Sequence, residues 1–114
     1  MYFALIKSFE GLTYYGNIPN VPELPDDRVE VYDISWDDAE LFDDDLDDLN
    51  HSCNSILDFY DVDYFDADKC KLLKKWLLLR IDKKTDNRYR ELLEILIRYA
   101  ERAIELNTGV VIEL

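Results

Sequence analysis

The chain has 114 residues, 48% of them hydrophobic, with 26 acidic against 13 basic side chains and a formal net charge of −13. That length fits a single domain with its own core, and the apolar content excludes a disordered acidic tail. The charge argues against direct binding to nucleic acid or an anionic membrane, because phosphate contacts need a basic surface.

Tyr2–Lys7, YFALIK, is short, apolar and aromatic, and reads as a strand. It lacks the basic segment and long apolar core of a signal peptide. No apolar run approaches the about 20 residues that span a bilayer, so a cytoplasmic protein is expected. Phe9–Gly11 reads as a turn, and Leu12–Gly16, LTYYG, as a second strand in a hairpin with the first. Prolines at 19, 22 and 25 make Asn17–Asp27 an extended loop without a ladder. Arg28–Ile34 alternates, with Val29, Val31 and Asp33 on one face and Glu30, Tyr32 and Ile34 on the other. It is a strand with neither face cleanly apolar.

Ser35 has the position of a helix N-cap, and Asp37 and Asp38 suit the positive end of the helix dipole. Ala39, Phe42, Leu46, Leu49, Cys53, Ile56, Leu57 and Tyr60 then fall on one helical stripe. The implied helix runs to residue 60, but its Asp-rich start and Asn50-His51-Ser52 weaken it, so a break somewhere within is expected. Asp61–Asp68 reads as a connector, with Asp66 or Asp68 capping a central helix, Lys69–Ile81. DKKTDN (82–87) is a loop. Tyr89, Leu92, Leu93, Leu96, Ile97, Ala100, Ala103 and Ile104 form the stripe of a last helix, Arg88–Leu106. Asn107-Thr108-Gly109 stops it. Val110–Leu114 is a final strand, expected beside the first. The predicted fold is α+β: one domain, 1–114, with a small antiparallel sheet of N-terminal strands plus the C-terminal strand, covered by two to four helices.

Charge is divided along the chain. Residues 1–68 carry 19 acids and 2 bases, and residues 69–114 carry 7 acids and 11 bases. Between Val29 and Asp68 there are 15 acids and no Lys or Arg. With Ala39 at zero and 100° per residue, the apolar stripe centres near ~310° and Glu40, Asp43, Asp44, Asp45, Asp47 and Asp48 spread opposite it. A solvated face is the bland explanation. Against it, Asp costs about 0.6 kcal/mol more than Ala in a helix. Like charges at i,i+4 cost roughly 0.2–0.5 kcal/mol each. Over Asp37–Asp48 the carboxylates give about one charge per ~2 Å of helix axis, close to the ~1.7 Å of duplex DNA. Such a face steers a basic protein onto it. Grip needs apolar anchors, and Leu41, Phe59, Tyr64 and Phe65 interrupt the acidic runs. The candidate partner-binding residues are therefore Asp37, Asp38, Glu40, Leu41, Asp43, Asp44, Asp45, Asp47, Asp48, Phe59, Asp61, Asp63, Tyr64 and Phe65.

No catalytic or metal site is expected. His51 is the one histidine, without a nucleophile or oxyanion-hole motif beside it. Asp43, Asp45 and Asp47 have the spacing that begins a Ca²⁺ loop, but Asp48 stands where the loop needs Gly and Asn54 where it needs Glu. Glycines at 11, 16 and 109 alone leave no phosphate loop. Cys53 and Cys70 form no C-x-x-C pair and read as buried or half-buried free thiols.

In size, acidity and absence of catalytic motifs, the whole chain resembles the immunity proteins of bacterial polymorphic and contact-dependent growth inhibition toxins. The resemblance implies a cofactor-free, non-enzymatic cytoplasmic monomer. It would cap a basic toxin domain, often a nuclease, in a 1:1 complex, with Asp37–Asp48 standing in for substrate phosphates. The same features fit a phage-encoded nucleic-acid mimic that blocks a host DNA-binding or defence protein. They also fit a non-catalytic interaction subunit and, further off, an enzyme acting on cationic substrates.

Overall fold

The computed structural model describes residues 1–83 and 86–114. In chain order its strands are β1 (Tyr2–Ile6), β2 (Tyr14–Tyr15), β3 (Ile18–Pro19), β4 (Val29–Asp33), β5 (Val62–Asp66) and β6 (Gly109–Glu113). Its helices are α1 (Trp36–Glu40), α2 (Leu46–Cys53), α3 (Ala67–Ile81) and α4 (Asn87–Leu106), with a 3₁₀ turn at Asp43–Asp45. The expected α+β fold is present, as an antiparallel four-stranded sheet in the order β4-β1-β6-β5 and a separate β2-β3 ribbon.

The run Phe3-Ala4-Leu5-Ile6 is buried throughout because β1 is interior and covered on both faces. Phe3 and Leu5, with Val110, Ile112 and Leu114, face the core under the helices. Ala4, Ile6, Val29 and Val111 face the other way, under Leu12, Ile18 and Val21 of the long β1–β4 connection. The C-terminal strand lies beside the first, with Phe3 opposite Ile112 and Leu5 opposite Val110. α3 and α4 pack against each other, and α4 lies on β1 and β6. Leu92, Leu93, Leu96, Ala100 and Ala103 of α4 are fully buried, as the stripe predicts.

Four expectations need correction. Leu12–Gly16 does not pair with the first strand; Tyr14–Tyr15 pairs with Ile18–Pro19 instead, inside the segment expected to carry no ladder. Pro19 fits because Asn20 N–H already donates to the Thr13 carbonyl. The alternation leaves Tyr14–Pro19 as a pair that exchanges no hydrogen bonds. Asp61–Asp68 is not a connector: Val62–Asp66 is β5, and α3 starts directly after it, with Asp66 as N-cap accepting from Lys69 N–H at 2.9 Å. Gly109 is not a helix stop but the first residue of β6, where a Cβ would lie 2.5 Å from the Phe65 carbonyl oxygen. Asn107, left-handed at φ 54°, closes α4 together with the Thr108 N–H, which donates to the Ala103 carbonyl at 2.9 Å.

The fourth correction matters most for function. The stripe from Ala39 to Tyr60 is not one helix. Ser35 and Asp38 form a capping box at the start of α1. The 3₁₀ turn follows, and α2 ends at Cys53 where Asn54 turns left-handed. Asn50 then holds the chain that leaves the helix. Its amide donates to the Leu57 carbonyl at 2.7 Å and accepts from Leu57 N–H at 2.9 Å and Ser55 Oγ at 2.7 Å. Residues 54–61 therefore run as an irregular loop. The loop expected at 82–87 falls partly on residues 84 and 85, which lie outside the described residues.

Candidate functional site

The acidic stretch divides into carboxylates that build the fold and carboxylates left in solvent. Asp38 is buried and receives two parallel hydrogen bonds, both 2.9 Å, from Arg88 Nε and Nη2. These hold its carboxyl down at about 2. Asp45 is 3% exposed and accepts from the Tyr89 hydroxyl at 2.6 Å, with Arg80 Nη1 at 3.6 Å. Burial first, and Asp45 second, push the Tyr89 phenol up. Asp48 accepts from Trp76 Nε1 at 2.8 Å and Arg80 Nη2 at 2.9 Å, and the indole first, the guanidinium second, lower its pKa. Asp63 accepts the Ile56 amide and so ties the 54–61 loop to β5.

These residues correct the expected docking surface. Asp38 and Asp45 point inward as structural acids. Phe65 is fully buried in the core, Tyr64 packs on the lower face of the sheet, and Leu41 is half-buried against the helices. The basic half neutralises part of the acidic half, through Arg80 at Asp45 and Asp48, Arg88 at Asp38 and, at the surface, Lys71 at Asp68. Lys74 pairs with Glu101.

Asp37, Glu40, Asp43, Asp44, Asp47, Asp58 and Asp61 remain exposed. Among the described residues, none of them pairs with Lys or Arg. Beside them lies an apolar patch, two of whose members, Ile56 and Tyr60, the single-helix expectation had folded into the core. Ile56 is 81% exposed and Tyr60 86% exposed. Tyr60 stacks on Trp36 with ring centroids 5.2 Å apart, and Phe59 meets the same indole edge-on at 5.5 Å. Tyr60 sits at φ 60°, a left-handed backbone that a bulky side chain rarely adopts. The Leu114 carbonyl accepts its amide and holds it there. Such strain, at a side chain left in water, is a feature of functional surfaces. Below the patch, Asp43, Asp47 and Asp58 share an open cleft of about 440 Å³ with Ile56 and Phe59.

Phe59 is therefore the one anticipated anchor that joins the patch. Trp36, Ile56 and Tyr60 were missed because a helix continued to residue 60 places Ile56 and Tyr60 on its core stripe. The available signal was Asn54, a residue type that often ends helices in the left-handed conformation.

Among the described residues, no three His, Cys, Asp or Glu side chains gather to hold a metal ion. Cys53 and Cys70 are buried free thiols, and desolvation pushes them up to about 11 and about 12. No helix of the described residues is long and apolar enough to cross a membrane. Protein-family models, curated proteins and solved structures were all searched, and none matches this chain.

Proposed function

We propose that this chain is a non-catalytic inhibitor that binds and neutralises a basic protein, as an immunity protein caps its cognate toxin domain. The observation that carries it is the exposed Trp36–Tyr60 stack with Ile56, backed by half-buried Phe59 and set among carboxylates that no described base neutralises. Aromatic anchors in a patch from which water can be excluded supply affinity. The surrounding charge supplies speed and selects a cationic partner. The cleft holding Asp43, Asp47 and Asp58 suits an Arg or Lys side chain, whose stem packs on Ile56 and Phe59 while its head meets carboxylate. A nuclease domain fits best as the partner, because its phosphate-binding cleft offers the cations in an open, concave form.

The test begins with the DNA on either side of this gene. An upstream frame encoding a large exported protein with a short, basic C-terminal domain is expected. Expression of that domain alone should arrest growth, and co-expression with this chain should restore it. Ile56→Arg combined with Tyr60→Arg should abolish the rescue without unfolding the protein, because both side chains lie in water. Continued arrest in the presence of the unaltered chain would sink the proposal, as would a neighbourhood of phage structural or early genes.

A further inference from the structure

A second surface lies at the outer edge of the sheet. β4 is an edge strand, paired with β1 alone. Lys7 N–H donates to the Arg28 carbonyl and Ile34 N–H to the Met1 carbonyl, so residues 28, 30, 32 and 34 turn their main chain toward β1. Val29, Val31 and Asp33 turn theirs outward. The Val29 amide is taken by the Asp26 carbonyl. Among the described residues, nothing bonds the amides and carbonyls of Val31 and Asp33.

That edge opens onto a groove of about 670 Å³ between the sheet and the proline-rich loop. Val21, Pro22, Leu24 and Pro25 form the loop wall, and Tyr2, Val29 and Val31 the sheet wall. Val31 is 41% exposed and Leu24 79%. An open edge next to a groove with both apolar and charged lining is the arrangement that accepts an added strand, with main-chain bonds for affinity and alternate side chains in the groove for selection.

Charge decides the occupant. Glu23, Asp26, Asp27, Glu30 and Asp33 line the groove, against Lys7 as the one base among its lining residues. Arg28 neutralises Asp26, and the Glu30 carboxylate turns to Tyr99 on the helix side of the sheet, so those of Glu23, Asp27 and Asp33 remain. A second copy of this chain, paired antiparallel about Val31, would bring Glu30 to the diagonal of its own counterpart, and each copy has a net charge of −13. The acids thus reject self-pairing and leave the edge open to cations. We propose that the outer edge of β4 takes up an extended, lysine- or arginine-rich segment of another protein as a fifth strand. Its main chain bonds Val31 and Asp33, and its alternate Lys or Arg side chains enter the groove, stems against Val31 and Leu24 and heads toward the carboxylates. The proposal is independent of what docks on the Trp36–Tyr60 cluster.

The probe is a blocked peptide of alternating lysine and valine, about seven residues long to match a strand. Amide hydrogen exchange is followed residue by residue on the whole protein. Bound peptide should slow exchange at Val31 and Asp33, with little change at Glu30 and Tyr32, whose amides already bond β1. Val31→Pro removes only an outward donor and is tolerated on an edge strand. It should weaken binding about tenfold or more, the loss of a main-chain bond plus the obstruction of the ring. Tyr60→Ala should leave this binding unchanged. Protection confined to the loop around Tyr60 would overturn the proposal. So would equal binding of a peptide with glutamate in place of lysine, or unweakened binding to a folded Val31→Pro variant.

Discussion

Asp38 tests whether the buried acids hold the fold as ions. It accepts two hydrogen bonds from Arg88 and also closes the capping box with Ser35. Asp38→Asn keeps an acceptor for the Ser35 amide and removes the charge that Arg88 faces. A fall of its pKa from 3.8 to about 2 is worth about 2 kcal/mol when nothing screens the pair. Arg88 is 39% exposed, and solvent screening reduces the contribution to about 1 kcal/mol. Because the folded-state pKa is depressed, the contribution is complete above the unfolded value of 3.8. It is lost as pH falls through 3.8 toward about 2. Urea unfolding of both proteins, followed by tryptophan fluorescence and extrapolated linearly, gives the difference at each pH. At pH 7 the variant should be about 1–2 kcal/mol less stable, and the gap should shrink by about 1 kcal/mol between pH 5 and pH 2. Subtracting the two proteins cancels the other carboxylates, whose protonation also relieves the excess of negative charge. A gap that stays constant across that window would refute an ionic role and assign Asp38 to capping alone.

Gly109→Ala places a Cβ 2.5 Å from the Phe65 carbonyl oxygen and against the Tyr64 ring. Overpacking there should cost about 3 kcal/mol in urea unfolding; a near-neutral result would refute the close approach of β5 to β6. Tyr60→Asn trades stacking on Trp36 for a residue that accepts positive φ, so stability should change by less than about 1 kcal/mol, while co-expression rescue should be lost. Asp43→Asn with Asp44→Asn removes two exposed carboxylates that no described base pairs. It should raise the melting temperature at low salt, with a smaller gain in about 1 M salt, where the Debye length is about 3 Å. A fall in melting temperature would mark these residues as structural. Cys53 and Cys70 should resist a thiol reagent at pH 8 and react on unfolding, since burial lifts them to about 11 and about 12.

The elements legible in the sequence are those whose apolar period outweighs everything else. The stripe of α4 placed Leu92, Leu93, Leu96, Ala100 and Ala103 in the core, and all are buried. β1 and β6 were legible as apolar runs and pair as expected. β5 was not, because aspartates interrupt it at Asp63 and Asp66, and VDYFD reads as a polar linker until Val111 and Val110 stand opposite Tyr64 and Phe65. The helix break was anticipated without its consequence. Only the Asn50 hydrogen bonds to Ser55 and Leu57 show why the chain leaves the helix and why Ile56 and Tyr60 end in water. Residues far apart in sequence are equally opaque to periodicity: Asp38 with Arg88, Asp45 with Tyr89, and Asp48 with Trp76.

The abundance of Asp over Glu along the chain has two physical sources, which separate once the partners are known. A cap must reach an amide within its own first turn, and the short Asp side chain does so at Asp38, Asp66 and Asp86. Asp45 and Asp48 are likewise set at fixed distances from Tyr89, Trp76 and Arg80. For these five, charge is incidental to geometry. Asp37, Asp43, Asp44 and Asp47 have no such role among the described residues, and Glu would serve solubility there at less cost to helical structure. They lie on either side of Glu40 and Leu41, with Trp36 beside them and Asp43 and Asp47 lining the cleft that Phe59 walls. A purely solubilising surface has no need of an exposed tryptophan–tyrosine stack in its midst, nor of a tyrosine held at positive φ to complete it. Unneutralised acid and exposed aromatic surface each carry a cost to the free protein. Their coincidence on one side of the fold is accounted for when a cationic partner covers both.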